Sequence, residues 1–255
     1  MNQPRIGIVI PVVQKKYIIN LIRYIKETVN RKDITICIVN DGNHKINQYL
    51  YNHLSEDIKL LILEKNKCFS GANNAGWKYL LEKYPSLDYL VTLNDDTIPQ
   101  DNWLDNLVES IEVDKNIALC GPVMISLTKK LFKNEINYSS TWKLGDEKQP
   151  MVIQEERIEN DAYVSVIGGF CFLARVEALK QVDYFDERYK NSCEDIDLCL
   201  KLTKNNWDLK ISHKSFVIHK CGKSRFKKNT NTNIILSRKL LFSKWGNKLY
   251  KYNLQ

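Results

Sequence analysis

The chain has 255 residues, 44% hydrophobic and 27% charged, with a net charge of +8 at pH 7. These figures exclude a disordered chain and a miniature disulfide scaffold, and they leave room for one large domain or two small ones around a real core. The charge is unevenly placed: from Leu209 onward there are twelve Lys or Arg and no Asp or Glu, which leaves 26 basic and 30 acidic residues, a net of −4, in the first 208.

RIGIVIPVV (5–13) reads as a buried strand, followed by a helix over about 17–30 in which Ile18, Leu21, Ile22 and Ile25 share one face. ITICIVND (34–41) predicts a second strand, 45–54 a short helix and IKLLIL (58–63) a third strand. GANNAGWKYLLEKY (71–84) predicts a helix after a glycine-led entry, stopped before Pro85. YLVTLND (89–95) is the fourth strand, and Trp103, Leu104, Leu107 and Ile111 mark another helix. Strands alternating with helices predict a parallel sheet in an α/β fold. After the strand-like IALCGPVMI (117–125), residues 126–162 are polar without a clear period and read as a hairpin or excursion. VIGGFCFLARVEAL (166–179) predicts a strand entering a helix, and DIDLCLKLTKNNW (195–207) a short helix. KISHKSFVIH (210–219) alternates like a strand, and NIILSRKLLFSKW (233–245) predicts an amphipathic basic helix. No repeat, Pro-rich linker or low-complexity tract divides the chain, so one domain with C-terminal additions is expected.

The opening MNQPRIGIVIPVV lacks the basic start, long apolar core and small-residue cleavage site of a secretory signal. No run approaches the roughly 18 apolar residues of a spanning helix. The seven cysteines (37, 68, 120, 171, 193, 199 and 221) are scattered and form no CxxC pair. They read as reduced residues of a cytoplasmic protein without a structural zinc. The basic end favours a polyanion: a nucleic acid, an anionic membrane surface or a phosphorylated ligand.

Ligands of open α/β sheets bind beyond the carboxyl ends of the strands, and three predicted strands end informatively. The first ends at Pro11, Val12 and Val13, the second at Asn40, Asp41 and Gly42, the fourth at Asn94, Asp95 and Asp96. NDG at 40–42 alone suits a turn; parallel strands would bring it and the 94–96 cluster onto one crevice. Adjacent carboxylates at an apolar strand end suit Mg²⁺ or Mn²⁺, which takes one or two carboxylates and fills its other positions with water and phosphate oxygens. The structural alternative, a cap for the helix near 100–111, is better served by Asp101. In NSCEDIDLCL, three acids at 194, 195 and 197 exceed what a helix dipole asks for. Glu194 or Asp195 near a cleft is a candidate general base, with Asp197 expected on the outer face. His219 in HKCGKS is a candidate ligand for Mn²⁺, and Gly222 suggests a loop passing close to a phosphate.

The order of these segments resembles family 2 glycosyltransferases of the GT-A fold, in particular the bacterial rhamnosyltransferase-like branch. The segments are IVNDG (38–42), NKCFSGANNAG (66–76), LNDDT (93–97), GGFCFLARVEAL with FDERYKNSCEDIDLCLKL, and HKCGKS (219–224), covering about residues 6–224. The resemblance implies a Rossmann-like, mostly parallel central sheet flanked by helices. It divides the chain into a glycosyltransferase domain over 1–224, with the nucleotide-sugar part over about 1–100 and the acceptor part over about 101–224, and a basic C-terminal helical extension over 225–255. Asp41 would contact the base or ribose of a UDP- or dTDP-linked sugar, with Pro11 and Val13 lining the pocket and Asn73 and Asn74 facing the nucleotide–sugar region. Asp96 would coordinate Mn²⁺ or Mg²⁺ with His219, Asn94 or Asp95 assisting directly or through water. Asp195 would be the base and Glu194 would orient acceptor or donor. Gly168 and Gly169 would let the backbone approach the donor sugar and acceptor.

An inverting transfer to a saccharide or lipid-linked saccharide, in bacterial surface polysaccharide synthesis, is the expectation that follows. It belongs in the cytoplasm or on the inner face of the cell membrane, with no nucleic acid partner. The sequence departs from the family pattern in places: Cys68 stands at a usual glycine, Asn94 at the first position of the metal motif, Lys201 at a frequent arginine and Asn206 at a common glycine. Two rivals are a sugar nucleotidyltransferase and a nucleic-acid-binding module. The first lacks its early Gly-rich phosphate loop in IPVVQKKYI, and the second leaves the acidic strand ends unexplained.

Overall fold

The computed structural model describes residues 3–130, 133–139, 141–144, 150–154, 157–220 and 230–246. Four strands, β1 (Ile6–Val12), β2 (Ile34–Asn40), β3 (Lys59–Ile62) and β4 (Tyr89–Leu93), form the parallel half of the sheet in the order β4-β1-β2-β3. Helices α1 (Ile18–Thr28), α2 (Asn47–His53) and α3 (Cys68–Lys83) connect them. Ile18, Leu21, Ile22 and Ile25 of α1 are all buried, the i, i+3, i+4, i+7 spacing that lays one helix face on a sheet. β1 is buried at six of seven positions because helices cover both faces of a parallel sheet. Each parallel crossover returns the chain to the same edge, so the carboxyl ends of β1, β2 and β4 open together.

The other half is mixed. A short β5 (Thr97–Pro99) and α4 (Trp103–Glu112) lead to the long β6 (Ile117–Lys130), which turns back antiparallel as β7 (Lys133–Ser139). A separate pair, β8 (Thr141–Leu144) with β9 (Met151–Gln154), and the two-residue β10 (Ala162–Tyr163) complete the excursion, a hairpin with a second small sheet. β11 (Cys171–Arg175) enters α5 (Val176–Gln181) and runs antiparallel between β4 and β6. After α6 (Glu194–Lys204), β12 (Asp208–His219) pairs parallel with β6 and antiparallel with β5. The path across the large sheet is β10-β12-β6-β11-β4-β1-β2-β3. β11 starts, and β12 finishes, at the edge where β4 ends.

The last helix, α7 (Thr230–Trp245), is not the simple amphipathic helix expected. Ser237, Leu241 and Trp245, four residues apart, are buried, and Leu241 and Trp245 join the main core. Ile235 and Leu236 are more than half exposed on another side. Burying a leucine-sized side chain contributes about 1.5–3 kcal/mol, which favours docking on the domain. Residues 221–229 and 247–255, with Gly222 and Lys248, lie outside the described residues. No described helix is long and apolar enough to cross a membrane. The six described cysteines are free, five of them buried.

Candidate active site

At the β1–β2 end, Val12 C=O accepts the Asp41 N–H (2.9 Å), and Val13 C=O accepts the Asn43 side-chain amide (2.8 Å). Pro11 and Val13 are half-buried beside them. Asp41 is 3% exposed, and protein donors already engage its carboxylate: Lys67 N–H donates to Oδ1 (2.6 Å) and Asn66 Nδ2 to Oδ2 (2.8 Å). The side chain therefore ties the β3–α3 loop to the end of β2. Gly42 has φ +75°, and a Cβ there would meet the backbone of Lys65 and Asn66 at 2.4 and 2.3 Å. Only glycine lets that loop cross so closely.

Burial pushes the Asp41 carboxyl from 3.8 up to about 6; the Lys67 and Cys68 N–H groups and the Lys67 and Lys190 charges pull the other way without offsetting it. A raised acid pKa means the folded state holds the proton more tightly than the unfolded one between about pH 4 and 6. Stability tied to Asp41 therefore falls as pH rises through that window and is level above it. Urea unfolding of wild type and Asp41→Asn at pH 4, 5, 6 and 7 checks this. The wild type should lose up to about 3 kcal/mol relative to the variant across the window; parallel pH profiles would refute the shift.

Asn73 and Asn74, expected to face the nucleotide–sugar region, instead point into the fold. Asn73 Nδ2 donates to Phe69 C=O (2.9 Å), and its Oδ1 accepts from Thr92 Oγ1, locking α3 to β4. Asn74 donates to Phe185 C=O (2.9 Å) and Glu187 Oε1 (3.1 Å) and accepts from Phe185 N–H (3.1 Å). Both are buried. A buried amide must be hydrogen-bonded, and here the partners are internal; the pair holds the 185–187 turn that precedes α6.

Three strand ends meet at the second half of the site. Asn94 N–H donates to Phe170 C=O (2.8 Å), joining the end of β4 to the start of β11. His219, the last residue of β12, pairs with Thr97 in β5, and Lys220 N–H donates to Asp96 C=O (3.1 Å). Consequently His219 Nε2 lies 3.3 Å from Asp96 Oδ1 and 3.4 Å from Asn94 Nδ2, and its ring stacks on Phe170 (centroids 5.1 Å, planes 13° apart). Asp95 and Asp96 are both almost fully buried. Neighbouring ligands of an octahedral ion with bonds of 2.0–2.1 Å lie about 3 Å apart, so the Asp96–His219 spacing fits a divalent cation. Among the described residues no group of three or more His, Cys, Asp or Glu gathers as a complete cage. Two protein ligands with water and phosphate oxygens is the arrangement such a cation accepts.

The third component comes from α6. Asn191 and Cys193 both take left-handed backbone (φ 60° and 66°), and the chain turns there into Glu194, which is buried, and Asp195, which is half-buried. Non-glycine residues in that region carry strain that persists only where surroundings fix it. Asp195 Oδ2 accepts the Gly169 N–H (3.0 Å), and its Oδ1 accepts Ile196 N–H (2.9 Å). A Cβ on Gly169 would crowd the Phe69 ring at 3.1 Å and lie in ordinary contact with the Asp195 Cβ at 3.5 Å. Gly168 precedes it in the loop into β11. The predicted residues 94–96, 168–169, 194–195 and 219 thus come together at one edge, with Pro11, Val13 and Asp41 along it.

Asp197 is corrected: it does not fall on the outer face but has no exposed surface. It accepts Tyr189 Oη–H (3.0 Å), Trp245 Nε1–H (2.7 Å) and Lys244 Nζ (2.9 Å). The sequence reading also missed Asn66, Lys67 and Tyr189. Their signal was faint, since Asn66 and Lys67 act on Asp41, about 25 residues back along the chain, and Tyr189 acts on a side chain that α7 buries.

Comparison with known proteins gives the family and the fold. Residues 7–183 match the family described as Glycosyl transferase family 2. Over 144 residues the chain is 29% identical to rhamnosyltransferase WbbL of Escherichia coli (strain K12), covering 53% of this chain and 54% of that protein, so the chain spans about half the length of the curated relative. Its fold is similar to a crystal structure of GalNAc-T7 with UDP, GalNAc and Mn2+, with TM-score 0.74 and 15% identity over 96% of this chain and 50% of that one. That likeness identifies the architecture as GT-A. With more than half its length matched by the family model and the acidic strand ends gathered where that fold opens, the chain belongs to glycosyl transferase family 2.

Proposed function

We propose that the chain is an inverting glycosyltransferase. It moves a sugar from a UDP- or dTDP-linked donor to a saccharide or lipid-linked saccharide in bacterial surface polysaccharide synthesis. The observation that carries the reading is Asp195, held by the Gly169 N–H at the edge that also bears Asn94, Asp95, Asp96 and His219. The likeness to a rhamnosyltransferase supports a sugar-transfer reaction.

In this mechanism the Asp195 carboxylate accepts the proton of the acceptor hydroxyl as its oxygen bonds to the anomeric carbon. The bond from that carbon to the diphosphate oxygen breaks in the same displacement, and the proton ends on Asp195. The Gly169 N–H orients the base, and Glu194 beside it orients acceptor or donor. Asp96 and His219 would hold Mn²⁺ or Mg²⁺, with Asn94 or Asp95 assisting; the cation supplies charge neutralisation for the departing nucleoside diphosphate. Pro11, Val13 and Asp41 bound the pocket for base and ribose. The outward Ile235, Leu236 and Lys239 of α7 support contact with an anionic bilayer on the cytoplasmic side. Sedimentation with anionic but not neutral vesicles is the check.

A thermal-shift screen of UDP- and dTDP-linked hexoses and N-acetylhexosamines, each with Mn²⁺, Mg²⁺ or chelator, tests the reading. A metal-dependent rise in melting temperature with at least one nucleotide sugar is expected. Absence of any shift across the panel would count against it.

A further inference from the structure

We propose that Lys244 and Trp245 of α7 are positioning residues for Asp195, so that the C-terminal helix is a working part of the catalytic edge; this rests on the reading of Asp195 as the base. Two residues along a helix turn about 200°, so Asp195 and Asp197 project from opposite sides of α6. Asp195 meets the Gly169 N–H (3.0 Å), whereas Asp197 faces inward to α7. There it receives Trp245 Nε1–H (2.7 Å), Lys244 Nζ (2.9 Å) and Tyr189 Oη–H (3.0 Å). Lys244 also reaches Oδ2 of Asp186 (3.1 Å), whose two oxygens Arg188 chelates.

The same helix holds the other end of the segment. Ser237 Oγ, buried on α7, accepts the Lys190 N–H (3.1 Å). Residues 190–197 are therefore fixed to α7 at both ends, and between those ties lie the left-handed Asn191 and Cys193. A carboxylate with no exposed surface that loses the ammonium hydrogen-bonded to it is strongly unfavourable, and the segment would rearrange to relieve it. Any such rearrangement turns the first turn of α6, and Asp195 with it. Misplacing a reacting group by about 1 Å lowers rate by as much as about 100-fold.

Hydrogen–deuterium exchange on the protein alone, comparing wild type with Lys244→Met, Lys244→Arg and Trp245→Phe, is the direct test. Lys244→Met should speed exchange across 191–196 by about tenfold or more while β1 and β4 exchange as in wild type. Turnover is followed as nucleoside diphosphate release from whichever of UDP-glucose, UDP-galactose, UDP-N-acetylglucosamine and dTDP-rhamnose the wild type uses fastest. There kcat should fall about tenfold or more, with the calorimetric affinity for UDP plus Mn²⁺ within about twofold of wild type, and Lys244→Arg should restore both readouts. If Lys244→Met does not fold, Trp245→Phe, which removes the N–H donor and trims the buried indole to a single ring, should give the same pattern at about threefold. Unchanged exchange at 191–196, or exchange rising equally in β1 and β4, overturns the inference. Asp195→Asn in the same assay separates the two claims. If it turns over, the base assignment fails and takes the inference with it; if it is inactive while Lys244→Met keeps wild-type kcat per folded molecule, the inference alone fails.

Discussion

Asp195→Asn is expected to lower transfer by about 1,000-fold or more while leaving the fold and donor binding intact. General-base catalysis contributes about 100- to 10,000-fold, and asparagine removes it with little change of shape. The amide oxygen can still accept the Gly169 N–H that Asp195 Oδ2 accepts at 3.0 Å, which keeps the tie to the loop before β11, while the Ile196 N–H bond to Oδ1 is lost. What it loses is the capacity to take the acceptor proton as the new bond forms. The effect should appear in kcat, with the affinity for UDP and Mn²⁺ unchanged. Near wild-type turnover would sink the assignment of the base.

The second large effect belongs to Asp96. Asp96→Ala removes the carboxylate that stands 3.3 Å from His219 Nε2 and leaves His219, with Asn94 or Asp95 assisting, to hold the cation. The affinity for UDP in the presence of Mn²⁺, measured by calorimetry, should fall by about 100-fold or more, because each coordinating group acts together with the diphosphate it positions. Affinity for uridine, which has no phosphate, should be unaffected, since the β1–β2 end with Pro11, Val13 and Asp41 is untouched. Unchanged UDP affinity with Mn²⁺ would refute the metal role, and an equal loss for uridine would point to a collapsed pocket instead.

Much of this edge was legible in the sequence because it is written locally. Apolar runs of four to eight residues ending in Asn, Asp or Gly report both a strand and what its end presents. The alternation with helices then fixes the parallel order that brings those ends together. Asn206 illustrates a sound local inference: it stands at a common glycine of the family pattern and takes φ 63°, the left-handed conformation that Asn tolerates. Cys68 does the same at φ 60° with less chemical excuse, and it starts α3 three residues before the glycine that suggested the helix entry. Lys201, at a frequent arginine, donates to Val182 C=O (2.8 Å) and to Tyr184 C=O, so it secures the 182–184 turn.

What the sequence hid depends on contacts between distant segments. Asn73 and Asn74 read as ligand-facing because two adjacent amides are polar, yet their partners are Phe69, Thr92, Phe185 and Glu187. Asp197 looked like a surface acid on a helix, and only the arrival of α7, 47 residues later along the chain, makes it a buried acceptor. Asp41 lies where a ligand residue was expected, but Asn66 and Lys67 already occupy its oxygens. No periodicity reports such pairings, because hydrogen-bond partners are chosen by the fold.

The central claim is a single displacement at the anomeric carbon by a hydroxyl that Asp195 deprotonates. Proton NMR of the glycoside first formed from an active donor and acceptor reads its anomeric configuration directly. The account predicts a product inverted relative to the donor; a product with the donor's configuration would contradict it.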